Sequence, residues 1–263
     1  MNIDTSIVDQ YLAEESNTNY SNHWVFSEIE KGKNVFTEPD NFRATEVLNC
    51  QNHIIETCSH FIFRNNDLVH KIFDDVPKIL KQANILLTVG MPSMYDAMVR
   101  EYQGKFYMIF DLINFANYVV EGIDLSNIIE QLLTHELIHM LIFEAYPSVD
   151  EFDYMDYLNY ISFHEGFAHL LAYKEDITNY QPDEKVYKPR FDTAKEKLLN
   201  ALNEKDPTLR QRYKFELNAG DYWSKFGAIA SKLYLMKHMN MLERIYNEGW
   251  ENYISKIVNY YWS

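Results

Sequence analysis

The residues most able to do chemistry are His135-Glu136-Leu137-Ile138-His139. His135 and His139 are four apart, so on a helix both imidazoles leave from one face. Two neutral imidazoles on adjacent turns can share one zinc ion at about 2.0–2.1 Å each. Glu136 lies one step round the helix, where it flanks the metal without binding it and can deprotonate a metal-bound water. That arrangement, two fixed ligands and one base, suits a hydrolase. A helix that merely carries two satisfied histidines would look the same at these positions. The flanks argue otherwise: Ile128, Ile129, Leu132, Leu133, Leu137, Ile138, Met140 and Leu141 make the segment apolar nearly all round. Such a helix is buried, and two histidines and a glutamate inside it need partners.

A third ligand is required. The pattern HExxHxxGxxH fails, because Ile142 stands where its glycine should be and Ala145 where its histidine should be. The other solution is a glutamate on a following helix, and Phe163-His164-Glu165-Gly166-Phe167-Ala168-His169 offers one. Glu165 follows His139 by 26 residues, enough for a loop and a returning antiparallel helix. Gly166 and Ala168 are small and would let this helix come close to the first. Glu165 is therefore the expected third ligand. His169 shares its face at i, i+4 and is a partner that orients Glu165, an alternative ligand or a plain helix histidine. His164 points about 100° away and is expected to be structural or on the surface. Tyr222, which opens a later helix, is the first choice to steady an oxyanion. Tyr154, Tyr157, Tyr160 and His238 are the other candidates.

With these motifs in place, the chain resembles the gluzincin superfamily, in which HExxH is completed by a downstream glutamate. Glu165-Gly166-Phe167-Ala168 is similar to the NEGFA segment of large zinc aminopeptidases and to the EGLA segment of compact predicted bacterial zinc proteases. The likeness covers roughly residues 83 to 175. The GAMEN exopeptidase signature is absent, which favours a small gluzincin. The resemblance implies a zincin-like fold, one Zn2+ per chain and a peptide or protein substrate. It also implies an edge strand ahead of the HExxH helix that pairs with substrate backbone, for which Lys105–Asp111 is the candidate.

The elements that must position these residues follow from composition and pattern. The chain has 263 residues, 47% of them hydrophobic, with only 8 glycines and 7 prolines. So few chain-breaking residues argue for long helices. A short helix is expected near Ser6 to Glu15, another over 39 to 64, and a third from Leu68 to Gln82 with Pro77 as a possible kink. Ala83 to Gly90, Met94 to Tyr102 and Lys105 to Leu112 read as strands, the last two joined by Gln103-Gly104. Helices follow from about Ser126 to Phe143 and from Tyr154 to Tyr173, then over Lys195 to Leu202, Tyr222 to Met239 and Trp250 to Tyr261. The fold class is α+β and mostly helical, with a small mixed sheet packed on the HExxH helix. Residues 1–146 form an N-terminal lobe and 147–263 a helical C-terminal lobe, divided near Tyr146 to Val149.

Other signals are discounted. Cys50, His53, Cys58 and His60 could suggest a second metal, but helical spacing disperses them. Cys50 and Cys58, eight apart on a helix, lie about 12 Å from each other, too far for a disulfide. The acidic run Asp150, Glu151, Asp153 and Asp156 lacks the glycine and terminal glutamate of a calcium loop. A net charge of −15 repels phosphate backbones and argues against nucleic acid. No leader-like start and no apolar span are visible, so a cytoplasmic location without membrane partners is expected.

The leading function is zinc-dependent peptide hydrolysis. A di-iron carboxylate oxidoreductase is the alternative, since Glu136 to His139 is also ExxH; it needs a second ExxH, and Glu165 to His169 is one residue too long. A catalytically silent zinc-binding regulatory protein is the third reading, against which an intact Glu136 argues.

Overall fold

Asp124, Asp153, Asp183 and Asp206 each stand just ahead of a helix and accept a backbone N–H from that helix's first turn through their side chains. Such caps satisfy donors that the helix cannot satisfy itself. The computed structural model describes every residue except 14–19, 28–32, 94, 96, 121–123, 148–152, 175 and 263. In chain order the elements are β1 (Asn2–Asp4), α1 (Ser6–Leu12), α2 (Ala44–Ser59), α3 (Asn66–Ile72), α4 (Val76–Gln82), β2 (Asn84–Thr88), β3 (Ala97–Tyr102), β4 (Lys105–Asp111), α5 (Leu112–Val120), α6 (Leu125–Ala145), α7 (Tyr154–Leu171), α8 (Glu184–Asn203), α9 (Pro207–Glu216), α10 (Phe226–Met236), α11 (Leu242–Asn247) and α12 (Tyr253–Val258). The fold is mostly helical with one small mixed sheet, an α+β protein. Among the described residues, no helix is long and apolar enough to cross a membrane.

The chain divides into two compact bodies. The first comprises Met1–Phe63 and Asp75–Leu137 and holds the sheet, whose order is β1-β2-β4-β3. β1, β2 and β4 run parallel, and β3 is antiparallel to β4. Gln103 and Gly104 both take positive φ, 51° and 72°, and close the β3–β4 hairpin in two residues with Tyr102 opposite Lys105. α1 packs on β2 and α2, and α5 packs on α2 and β4.

This order corrects one expectation. Lys105–Asp111 is no edge strand: β2 and β3 occupy both its sides. The edge beside it is β3, and an extended peptide adding to this side of the sheet would pair with Ala97–Tyr102. Two further differences are local. Pro77 does not kink a long helix; it sits in the first turn of α4, where its missing N–H costs nothing, and Phe73 is extended ahead of it. The segment after β4 is helical at once, as α5, because the buried Asp111 carboxylate accepts the N–H groups of Ile113 and Asn114 at 3.1 and 3.0 Å. Residues 148 and 149 of the anticipated boundary region, and Glu15 at the expected end of the first helix, fall outside the described residues.

The second body comprises Arg64–Asp74 and Ile138–Ser263. Its centre is α10, buried along its whole length, with α7, α8 and α12 packed around it. Gly166 explains how closely α7 approaches α10. A Cβ at Gly166 would overlap Ser231 Oγ and lie 2.5 Å from Ser231 Cβ. The small residue therefore serves the contact with α10, a neighbour other than the HExxH helix expected from its position beside Glu165. Ser231 in turn shares a 2.6 Å hydrogen bond with Tyr253 of α12. Gly166→Ala should destabilise the protein by about 1–3 kcal/mol through overpacking, read as a lower denaturant midpoint. Ser231→Gly in the same chain should return part of that loss.

Candidate metal centre

His135, Glu136 and His139 ride on the continuous helix α6. Its buried apolar residues, among them Ile129, Leu133, Leu137, Ile138, Leu141 and Ile142, anchor it and fix the direction of the polar ones. Glu136 is 7% exposed, so the carboxylate next to the two histidines is itself taken out of bulk water. Within the first body Arg100 of β3 lies in its electrostatic reach. Burial pushes the Arg100 guanidinium down, and the charges of Tyr95 and Glu136 oppose that shift.

α7 brings the second set. Asp153 caps it by accepting the N–H of Asp156 at 2.8 Å, and Phe163, Phe167 and Leu170 bury one face. Glu165 and His169 emerge together, with His169 Nε2 3.4 Å from Glu165 Oε2. His139 Nε2 stands 3.7 Å from Glu165 Oε1. One ligand atom each from His135, Glu165 and His169 lies within 4.8 Å of the others, a group that can hold a metal ion. Among the described residues no other such group of histidine, cysteine and acidic side chains is found.

The distances suit a metal better than hydrogen bonding. Both imidazole–carboxylate separations exceed the usual 2.7–3.2 Å for an N–H donor. Ligands at 2.0–2.1 Å around a tetrahedral ion are about 3.4 Å apart, close to both values. The donor set is also appropriate: imidazoles and one carboxylate are borderline ligands that zinc accepts. Burial lowers the basicity of His139, with Glu165 opposing and His169 adding to the effect, which favours the neutral ring a metal requires.

Asn218 was not anticipated. Its Nδ2 donates to Glu165 Oε1 at 3.1 Å and so orients the carboxylate from a loop 53 residues downstream. That loop is tied down where Leu217 O accepts the N–H groups of Gly227 and Ala228. Nothing local marks Asn218, because its partner is distant in the chain.

The remaining candidates separate clearly. His164 is buried among Phe143, Tyr160 and Phe163, its ring parallel to that of His139 at 5.9 Å, so a surface role is excluded. Tyr154 donates to Ala201 O, Tyr160 to Tyr146 O, and His238 Nδ1 sits 2.7 Å from Tyr234 O. These three have backbone partners. Burial raises the Tyr157 phenol pKa, and the charge of Glu165 adds to the rise. Tyr222 packs edge-on against the His169 ring at 5.7 Å, and its hydroxyl accepts a 2.6 Å hydrogen bond from Lys232 Nζ. Cys50 and Cys58 are unpaired, with burial pushing their thiols up to about 11 and about 12. Such thiols stay protonated and are poor metal ligands. His53 and His60 face backbone carbonyls of their own helix. Of the acidic run, residues 150 and 151 lie outside the described residues, and Asp153 serves as the α7 cap.

No protein-family model, curated protein or solved structure matches this chain.

Proposed function

We propose that the protein is a zinc-dependent metallopeptidase of the gluzincin type, with a zincin-like arrangement of sheet and HExxH helix. The observation that carries this reading is the convergence of His135, Glu165 and His169 within 4.8 Å of one another, with His139 3.7 Å from Glu165 Oε1. Glu136, one residue from the first ligand and buried, is the matching base. In this reading His135, His139 and Glu165 hold the ion, His169 is the alternative to His139 as the second imidazole, and Asn218 orients Glu165. Zinc, when bound, supplies a Lewis acid for the scissile carbonyl and for water.

The chain's own residues do the rest. Glu136 accepts a proton from the attacking water as its oxygen bonds to the carbonyl carbon, and then delivers that proton to the amide nitrogen as the C–N bond breaks. A carboxylic acid and an amine result, with no net gain or loss of electrons. The Tyr222 hydroxyl donates to the carbonyl oxygen as negative charge builds on it. Among the described residues β3 is the outer strand on this side of the sheet, in the same body as Glu136, and its Arg100 feels the charge of that base, so an extended substrate pairing with β3 would lie on the strand that carries Arg100.

The test is metal analysis with a peptide assay. Purified protein should contain about one zinc per chain, and should cleave members of a fluorogenic peptide library. Chelation should abolish cleavage and added zinc restore it. Two irons per chain with no cleavage would replace this reading with the di-iron one.

A further inference from the structure

Lys232 is the one lysine in α10, a helix otherwise built from Phe226, Ala228, Ile229, Ala230, Leu233, Leu235 and residues like them. Its side chain is buried, at 1% exposure. Removing an ammonium from water costs several kcal/mol unless it is well paired. Here no carboxylate pairs with it among the described residues. Its contacts are the face of Tyr173, 3.2 Å from Nζ to the ring centroid, and the Tyr222 hydroxyl at 2.6 Å. Burial, with Lys174 adding, pushes the amine down to about 6. A methionine or leucine would fill the same space at less cost.

The hydrogen bond has a direction that matters. As the ammonium, Lys232 donates, so the Tyr222 oxygen accepts and the phenol's own hydrogen points elsewhere; as the neutral amine it would accept that hydrogen instead. Among the described residues that hydrogen has no acceptor. Tyr222 is half-buried, so a ligand can reach it, and its ring is held edge-on to His169. With the lysine charged, the hydroxyl is fixed at its oxygen and open at its hydrogen, beside the side chain that contacts Glu165.

We infer that Lys232 is a positioning residue that holds the Tyr222 hydroxyl as a ready donor to the oxyanion formed in peptide hydrolysis. This inference rests on the metallopeptidase reading above and adds to it a residue that never touches substrate. Lys232 acts only through Tyr222, so removing it should matter only while Tyr222 is present.

The experiment compares zinc-loaded wild type with Lys232→Met, Lys232→Gln, Tyr222→Phe and the double variant Lys232→Met/Tyr222→Phe. Steady-state kinetics on a cleaved peptide, zinc affinity, thermal midpoint and calorimetric binding of a peptide phosphonamidate are measured for each. Tyr222→Phe should lower kcat about 100-fold, the scale of losing one oxyanion donor. Lys232→Met should lower kcat about 10-fold with KM within about twofold, and the double variant should be no slower than Tyr222→Phe. Lys232→Gln, which keeps an N–H donor, should recover part of the loss. Phosphonamidate affinity should fall in parallel with kcat, while zinc affinity stays unchanged.

Losses that multiply in the double variant would overturn the inference. So would a Lys232→Met variant with a lower thermal midpoint but unchanged kcat and phosphonamidate binding. If Lys232→Met does not fold, Lys232→Gln against Tyr222→Phe makes the same comparison. A wild type that neither cleaves peptides nor binds the phosphonamidate would overturn the metallopeptidase reading itself. An active wild type with multiplicative losses overturns only the role of Lys232.

Discussion

Glu136→Gln should lower kcat/KM for peptide hydrolysis by about 10³-fold while leaving about one zinc per chain. Glutamine has almost the same shape as glutamate, so the packing of this 7%-exposed side chain is kept. What is lost is the proton acceptor. General-base catalysis is worth about 10²–10⁴-fold, and in this site the same group must also return the proton to the leaving nitrogen. Glu136 sits between two ligand positions on α6 but does not share their face, so metal affinity should change little. Stability should hold or rise slightly, because a buried carboxylate is replaced by a neutral amide. Hydrolysis within tenfold of wild type would show that the base is another group, and a joint loss of zinc and activity would make Glu136 a ligand.

Much of this site can be read in the sequence because its parts are local. His135 and His139 are one helical turn apart, and so are Glu165 and His169; a period of 3.6 residues is enough to put each pair on one face. The unbroken apolar flanks of α6 show that those polar groups are buried. What escapes the sequence depends on distant pairing. Whether Lys105–Asp111 is an edge or an interior strand is decided by β2 and β3, since all three carry similar patterns and only the order β1-β2-β4-β3 separates them. β1 is three residues long and leaves no period to detect. Asn218 looks like any loop asparagine until Glu165 is seen across 53 residues.

Lys232 occupies a middle ground. A single lysine inside Phe226–Met236 is itself a signal, because a charged residue within an all-round apolar helix needs a reason. The sequence cannot supply the partner, which comes from the short 3-10 turn Tyr222–Ser224 ahead of the helix. Gly166 shows the opposite case. Its small size is obvious in the sequence, but the neighbour that demands it is Ser231 of α10 and not the HExxH helix.

Substituting the metal-binding side chains should separate ligands from the groups that orient them. Zinc bound at a protein site typically contributes about 10–16 kcal/mol, or about 2.5–4 kcal/mol for each of four ligands, which corresponds to roughly 10²–10³-fold in affinity. His135→Ala, His139→Ala and Glu165→Ala should each fall in that range, measured by competition with a chromophoric chelator. His169→Ala and Asn218→Ala should cost about 10–100-fold or less, the scale of residues that fix a ligand's orientation. The distinction between His139 and His169 is the informative one. Both nitrogens approach Glu165, at 3.7 and 3.4 Å, but on different carboxylate oxygens. A carboxylate that binds an ion through Oε1, the oxygen beside His139 and Asn218, leaves Oε2 facing His169. On that arrangement His169 steers and His139 binds. Equal losses for His169→Ala and His135→Ala, with a small loss for His139→Ala, would reverse the two roles and place the ion against Oε2.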